Sequence, residues 1–185
     1  MEAMTPAERE RLTNYLSQTR SQLLETVRSL SPEQLDYKPN PDRWSIAQVV
    51  EHVNIVEGLA FSRIDAAVKS ATPSAQSAWQ GRDETLVELV KDRSTRVQAP
   101  ERGQPTSQLP HEELFRQFDA ARNRTIEFAA KTEAPLRSYC FPHPIFGEMD
   151  AYQWLLAAAA HSDRHCAQIL EVMADASFPR AAATV

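Results

Sequence analysis

The chain has 185 residues, 42% hydrophobic and 24% charged, enough for one domain with a sizeable buried core. A formal net charge of −5, with basic residues scattered among acids, gives no footprint for nucleic acid or an anionic membrane. Two cysteines, Cys140 and Cys166, cannot build a disulfide framework or a zinc finger. The polar N-terminus MEAMTPAERERLTN and the shortness of the most apolar run, Trp154 to Ala160, make a soluble cytoplasmic protein the expectation.

Only four glycines occur, at 58, 81, 103 and 147, among many strong helix formers, which points to an all-α chain. Thr5-Pro6-Ala7-Glu8 reads as an N-cap, a first-position proline and a capping-box glutamate. Leu12, Leu16, Thr19, Leu23, Thr26/Val27 and Leu30 follow as one stripe, so a first helix is expected from about Pro6 to Leu30. Ser31-Pro32-Glu33-Gln34 starts a short turn of helix that Lys38-Pro39-Asn40-Pro41-Asp42 breaks.

A second long helix is expected from Ser45 to about Lys69, with Ser45 and Gln48 forming a capping box. At 100° per residue, Ser45, Gln48, Val49, Ile55, Val56, Leu59, Arg63 and Ala66 lie within about 60° of His52. That count puts His52 in the middle of the apolar stripe and Glu51, Asn54 and Glu57 on other faces. Gly58 inside this helix has no evident reason in the pattern.

Residues 70–109 are irregular, with one helical piece at Asp83 to Val90. Their length suits a crossover connection, part of which covers an end of the bundle. A third helix follows Pro110 with Leu114, Phe118, Ala121, Thr125 and Phe128 on its buried face, and Pro135 closes it. The aromatic, proline-rich run Tyr139–Gly147 is expected to be extended and packed, and no period-two segment calls for a sheet. Asp150 and Gln153 cap a fourth helix that ends near Asp175, leaving a mobile tail from about 176 to 185. The expected fold is a four-helix bundle forming a single domain over 1–185.

The fourth helix carries His161-Ser-Asp-Arg-His165, two imidazoles one turn apart on one face, a spacing from which both reach a single metal ion. Trp154, Ala157, Ala158, Gln168 and Val172 share that face. Two alanines below two imidazoles leave the interior under-filled and polar, as a bundle pocket requires. His52 supplies a third imidazole from the second helix. Three histidines without a fourth protein ligand match a catalytic rather than a closed structural site. Gln48 and Gln168, each one turn from a histidine, are placed to orient an imidazole or a bound water.

Other candidates have plainer roles. His111 is expected at the surface, and Arg63, about 16 Å along the helix from His52, at the end of the bundle. His143, between two prolines, is expected to hydrogen-bond a loop carbonyl, with the pocket mouth as the alternative. Cys166 points away from its neighbour His165 as a small core group, and Cys140 has no neighbour that would activate it. Trp44, Trp79, Tyr139, Phe141 and Phe146 are expected to pack.

Trp44-Ser45-Ile46 leading to His52, His143-Pro144-x-Phe146-Gly147, Trp154-Leu155 and His161-x-x-Arg164-His165-x-x-Gln168-Ile169 come in an order that resembles the DinB-like superfamily, a damage-inducible family of metal-binding four-helix bundles. The resemblance implies a 1-2-4-3 helix order, a long second connection, frequently a homodimer, and one divalent ion, zinc or nickel, on His52, His161 and His165. Relatives include bacillithiol- or mycothiol-dependent thiol transferases, a mycothiol-dependent isomerase and metal-dependent hydrolases. The expected activity is therefore thiol S-transfer to a small-molecule substrate, with a low-molecular-weight thiol as the candidate cofactor beside the metal. The alternatives are metal-assisted hydrolysis, for which the counted faces offer no carboxylate base, and a non-enzymatic stress or metal-binding protein.

Overall fold

The computed structural model describes residues 3–70, 77–95 and 97–180. In chain order it contains α1 (Pro6–Arg28), α2 (Pro32–Asp36), α3 (Ile46–Ser70), α4 (Asp83–Lys91), α5 (His111–Lys131), β1 (Cys140–His143), β2 (Gly147–Asp150) and α6 (Ala151–Met173). The cap signals hold. Thr5, Ser31 and Asp150 each close a full capping box, and Ser45 and Gln48 exchange the same pair of bonds ahead of α3.

The four long helices α1, α3, α5 and α6 form the bundle. Tyr152 hydrogen-bonds the Glu8 carbonyl, and Arg9 donates to the carbonyls of Ala129 and Thr132, so α1 and α6 start where α5 ends. At the opposite end Tyr37 bonds Asp175 and His111 bonds Asp36. Helices α1 and α6 are therefore parallel to each other, and α3 and α5 run the other way. Each long helix packs on two others: α1 on α5 and α6, α3 on α5 and α6. Around the bundle the long helices thus follow the order 1-4-2-3, which corrects the expected 1-2-4-3. The connections at 29–45 and 132–150 cross diagonals of the bundle, and each is long enough to do so.

The same arrangement accounts for the long crossover. Since α3 and α5 are parallel neighbours, the chain must return along the length of α3, about 37 Å at 1.5 Å per residue. On the way α4 packs along α6, and a 3-10 turn at Glu101–Gly103 packs on α3. Among the described residues the crossover thus runs mostly along the flank of the bundle, while residues 77–83 pack on the β1–β2 hairpin, Arg137 and Gln153 at the end where α1 and α6 start.

Three sequence expectations shift by a residue or an element. The buried face of α5 is Leu114, Phe118, Arg122, Thr125 and Ala129, so Arg122 and Ala129 replace Ala121 and Phe128. The buried face of α3 is centred on Val53, Glu57 and Ala60, with His52 at its edge and Leu59 exposed. The run after Tyr139 is extended and packed, but it also forms an antiparallel hairpin pairing Cys140 with Asp150 through His143 with Gly147. Gly147 has φ +70°, a turn conformation that glycine adopts without strain.

Helix α6 is buried on every side from Ala151 to Ala160 because α1, α3, α4 and the hairpin all cover it. Residues 176–180 of the expected mobile tail are held: Phe178 meets Tyr37 edge-on, and Gln34 donates to the Pro179 carbonyl. Residues 181–185 lie outside the described residues. No described helix is long and apolar enough to cross a membrane.

Candidate metal centre

His52 on α3 and His161 and His165 on α6 turn their Nε2 atoms toward one point. His161 Nε2 lies 3.2 Å from His52 Nε2 and 3.0 Å from His165 Nε2. One ligand atom from each residue falls within 4.8 Å of the other two, and this is the one such cluster of metal-ligating groups among the described residues. Three nitrogens held tetrahedrally at about 2.05 Å from one ion would stand about 3.3 Å apart, close to the spacings found.

Hydrogen bonds on the far side of two rings set their tautomers. His52 Nδ1 donates to the Gly103 carbonyl at 2.6 Å, and His165 Nδ1 donates to Gln168 Oε1 at 2.9 Å. Both protons sit on Nδ1, which leaves both Nε2 lone pairs bare and aimed inward. His161 Nε2 could donate to only one of them. A cation satisfies all three lone pairs at once, so the donor set fits a divalent ion.

The surroundings keep the rings neutral. Burial pushes His52 below the ordinary histidine range, against the opposing hydrogen bond to Gly103. His161 is held well below it by burial and then by the neighbouring rings of His165 and His52. Burial, followed by His52, takes His165 down to about 3. A neutral imidazole is the form that ligates a metal. His52 and His165 are buried and His161 is the least covered of the three residues.

Several supporting residues come from places the sequence pattern did not mark. Glu51, expected on another face, is buried and accepts from the Thr106 amide and hydroxyl and the Ser107 amide, which straps residues 103–107 onto α3 beside His52. Burial raises the Glu51 pKa, but these hydrogen bonds outweigh it and hold the group below the ordinary carboxylate value. Arg93 pairs with Glu171 and reaches the same Gln168 oxygen that receives His165. Trp44 packs its ring 4.8 Å from that of His52.

Gln168 thus stands where the helical spacing put it, while Gln48 does not. The Gln48 amide is engaged with the Ser45 amide and the Ser107 hydroxyl instead of an imidazole. Ala157 and Ala158 are buried, and the Arg122 guanidinium bonds the Ala158 carbonyl.

Arg122 is the largest surprise. Fully buried, it forms a two-pronged ion pair with Glu57 at 3.0 and 2.8 Å and bonds Thr19 and Ser162. Thr125 also donates to Glu57. All four long helices meet there. The signal available in the sequence was the position of Arg122 in the 118–122–125–129 register of α5.

His143 is corrected in detail. Its Nδ1 accepts from the Ile145 and Phe146 amides instead of donating to a carbonyl, and its ring lies 4.7 Å from that of Trp154. His111 pairs with Asp36 near the surface. Cys166 is a buried core group whose thiol burial pushes up to about 12, and burial also raises Cys140, so neither is an activated thiol.

A model of the DinB superfamily matches residues 15–169, most of the chain and all three histidines. The chain belongs to the DinB superfamily. Among curated proteins it resembles the uncharacterized protein YuaE of Bacillus subtilis (strain 168), 26% identical over 160 residues, covering 86% of this chain and 95% of that one. Among solved structures it resembles YfiT from Bacillus subtilis, described as a probable metal-dependent hydrolase with an unusual four-helix bundle topology. The TM-score is 0.62 at 16% identity, over 94% of this chain and 90% of YfiT. TT2238, a four-helix bundle protein, matches with TM-score 0.55 at 24% identity, over 88% of this chain and 98% of that one. These likenesses establish the four-helix-bundle fold of this DinB protein.

Proposed function

We propose that this DinB protein is a divalent-metal-dependent enzyme, with His52, His161 and His165 as its protein ligands and one or more coordination positions left for a substrate or nucleophile. The observation that carries the proposal is the convergence of three Nε2 atoms, two of them stripped of their protons by Gly103 and Gln168. When bound, such an ion supplies Lewis acidity that lowers the pKa of a thiol or water. The chain's own residues fix the ring orientations and keep the imidazoles neutral, and His161 is the least covered of the three. Partial exposure of His161 and a three-ligand set weigh against a sealed, non-enzymatic metal store.

Thiol S-transfer is the favoured reaction type. The metal-ligating cluster contains no carboxylate among the described residues, and a thiol ionises beside a cation without a strong protein base. Hydrolysis is the second reading, supported by the description given to YfiT. Zinc and nickel both suit three imidazoles.

Protein purified without an affinity tag should carry one divalent ion per chain by elemental analysis. His161→Ala should abolish that content, and Gln168→Leu should weaken metal affinity about 10- to 100-fold. Full metal content in His161→Ala, or none in the parent, overturns the assignment. Bacillithiol, mycothiol and glutathione with electrophiles, run beside esters and amides, separate transfer from hydrolysis.

A further inference from the structure

Seven residues before His161 on nearly the same face of α6 stands Trp154, about 10 Å away along the axis. Two polar groups gather on its ring. The Arg63 guanidinium, from α3, lies 5.6 Å from the ring centroid, and its Nη1 donates to the Pro142 carbonyl at 3.2 Å. The His143 ring, from β1, lies 4.7 Å from it. Phe141 stacks on the same indole at 5.0 Å.

Arg63 is exposed and has no ion pair among the described residues. His143 has its orientation fixed by the chain. Its Nδ1 receives two backbone amides at 3.1 and 3.3 Å, so its ring proton resides on Nε2. That N–H has no protein acceptor among the described residues, and Nε2 is not among the buried unpartnered atoms. An unneutralised cation and an unspent N–H donor therefore sit together on an aromatic platform, and the seam between α3 and α6 leads from there to the histidine cluster. Along that seam are Val56, Ala157 and the exposed Leu59, all without charge.

We propose that Arg63 and the His143 Nε2–H form an anion-recognition subsite that accepts a carboxylate on the substrate. It stands about 10 to 16 Å from the metal site by helical rise, the lower figure counted from Trp154 to His161 and the upper from Arg63 to His52. The substrate class is a molecule with an anionic end, a short apolar middle and a reactive far end. The metal end rests on the function proposed above. The anion subsite stands on Arg63, His143 and Trp154 alone.

Hexanoate, hexanol and hexylamine are suitable probes against zinc-loaded protein labelled with [15N]histidine. Hexanoate should shift the His143 ring resonances saturably, and calorimetry should give an affinity that falls about tenfold in Arg63→Gln and in His143→Phe, the loss expected for one charge-assisted hydrogen bond. Arg63→Lys should restore part of it. Hexanol should bind weakly and equally to all variants, and hexylamine should not shift His143. Unchanged hexanoate affinity in both Arg63→Gln and His143→Phe, or hexanol binding as tightly as hexanoate, overturns the subsite. Elemental analysis of the same samples reports on the metal separately, because the His143 signal requires no ion. If Arg63→Gln unfolds by circular dichroism, His143→Phe and Arg63→Lys still decide the matter.

Discussion

His165 illustrates what a residue's surroundings do to its chemistry. Its ring is almost wholly buried and faces the His52 imidazole, so the charged form is strongly disfavoured in the folded protein even though the Nδ1–H bond to Gln168 works the other way. His52 and His161 are depressed in the same direction. In the unfolded chain these rings take up protons near pH 6.5, whereas in the fold His165 resists until about 3. Above the ordinary value both states are neutral and pH changes nothing. As pH falls through that window the unfolded state gains protons that the folded state refuses, and stability drops. Each ring held neutral removes up to about 1.4 kcal/mol per pH unit. Urea titrations of chelator-treated protein at pH 7, 6 and 5 should show this steepening loss, and His165→Asn should flatten it. A stability profile level from pH 7 to 5 would contradict the burial of these rings. The spacing of His161 and His165 was legible in the sequence because one helix carries both. Gly103 and Arg93 were not, since they come from a crossover without periodicity.

At the scale of elements, cap chemistry read well and stripes read with an offset. Capping boxes are local and obey backbone geometry, so Thr5, Ser31, Ser45 and Asp150 announced their helices correctly. The stripe of α3 was misplaced because apolar Val56, Leu59 and Ala66 share the His52 face, although Leu59 is exposed, while Glu57 is buried by its pairing with Arg122. The hairpin escaped notice for a related reason: each strand has four residues, and one of them is Pro142, too few to display alternation. Gly58, without a reason in the sequence, has none in the structure either. A Cβ built there meets nothing within 4 Å, and its backbone is helical. Gly58→Ala should therefore stabilise the protein by about 0.5–1 kcal/mol through the reduced entropy of the unfolded chain. Thermal melts of the two forms test this, and a lower melting temperature for the alanine form would refute it.

At the scale of the whole molecule, four helices and a crossover were legible because periodicity and connection length are sequence properties. The ring order was not, since it depends on which diagonals the 29–45 and 132–150 connections cross. What locks that order is the Glu57–Arg122 pair at the centre, bonded to α1 through Thr19 and to α6 through Ser162 and the Ala158 carbonyl. A buried pair is costly to desolvate, so its presence is not itself a sign of high stability, but breaking it strands a charge. Arg122→Met should leave Glu57 without its cation and cost about 3–5 kcal/mol. The double variant Glu57→Leu with Arg122→Met should recover most of that loss, because the hydroxyls left behind keep other acceptors. Thr19 also bonds the Tyr15 carbonyl, Thr125 that of Ala121, and Ser162 that of Ala158. Urea denaturation of the parent, both single variants and the double variant forms a complete cycle. A double variant as unstable as Arg122→Met alone would mean that the network is needed for packing as such. Recovery of stability with a loss of sharp, uniform side-chain resonances would assign the pair to specifying this helix order over its alternatives.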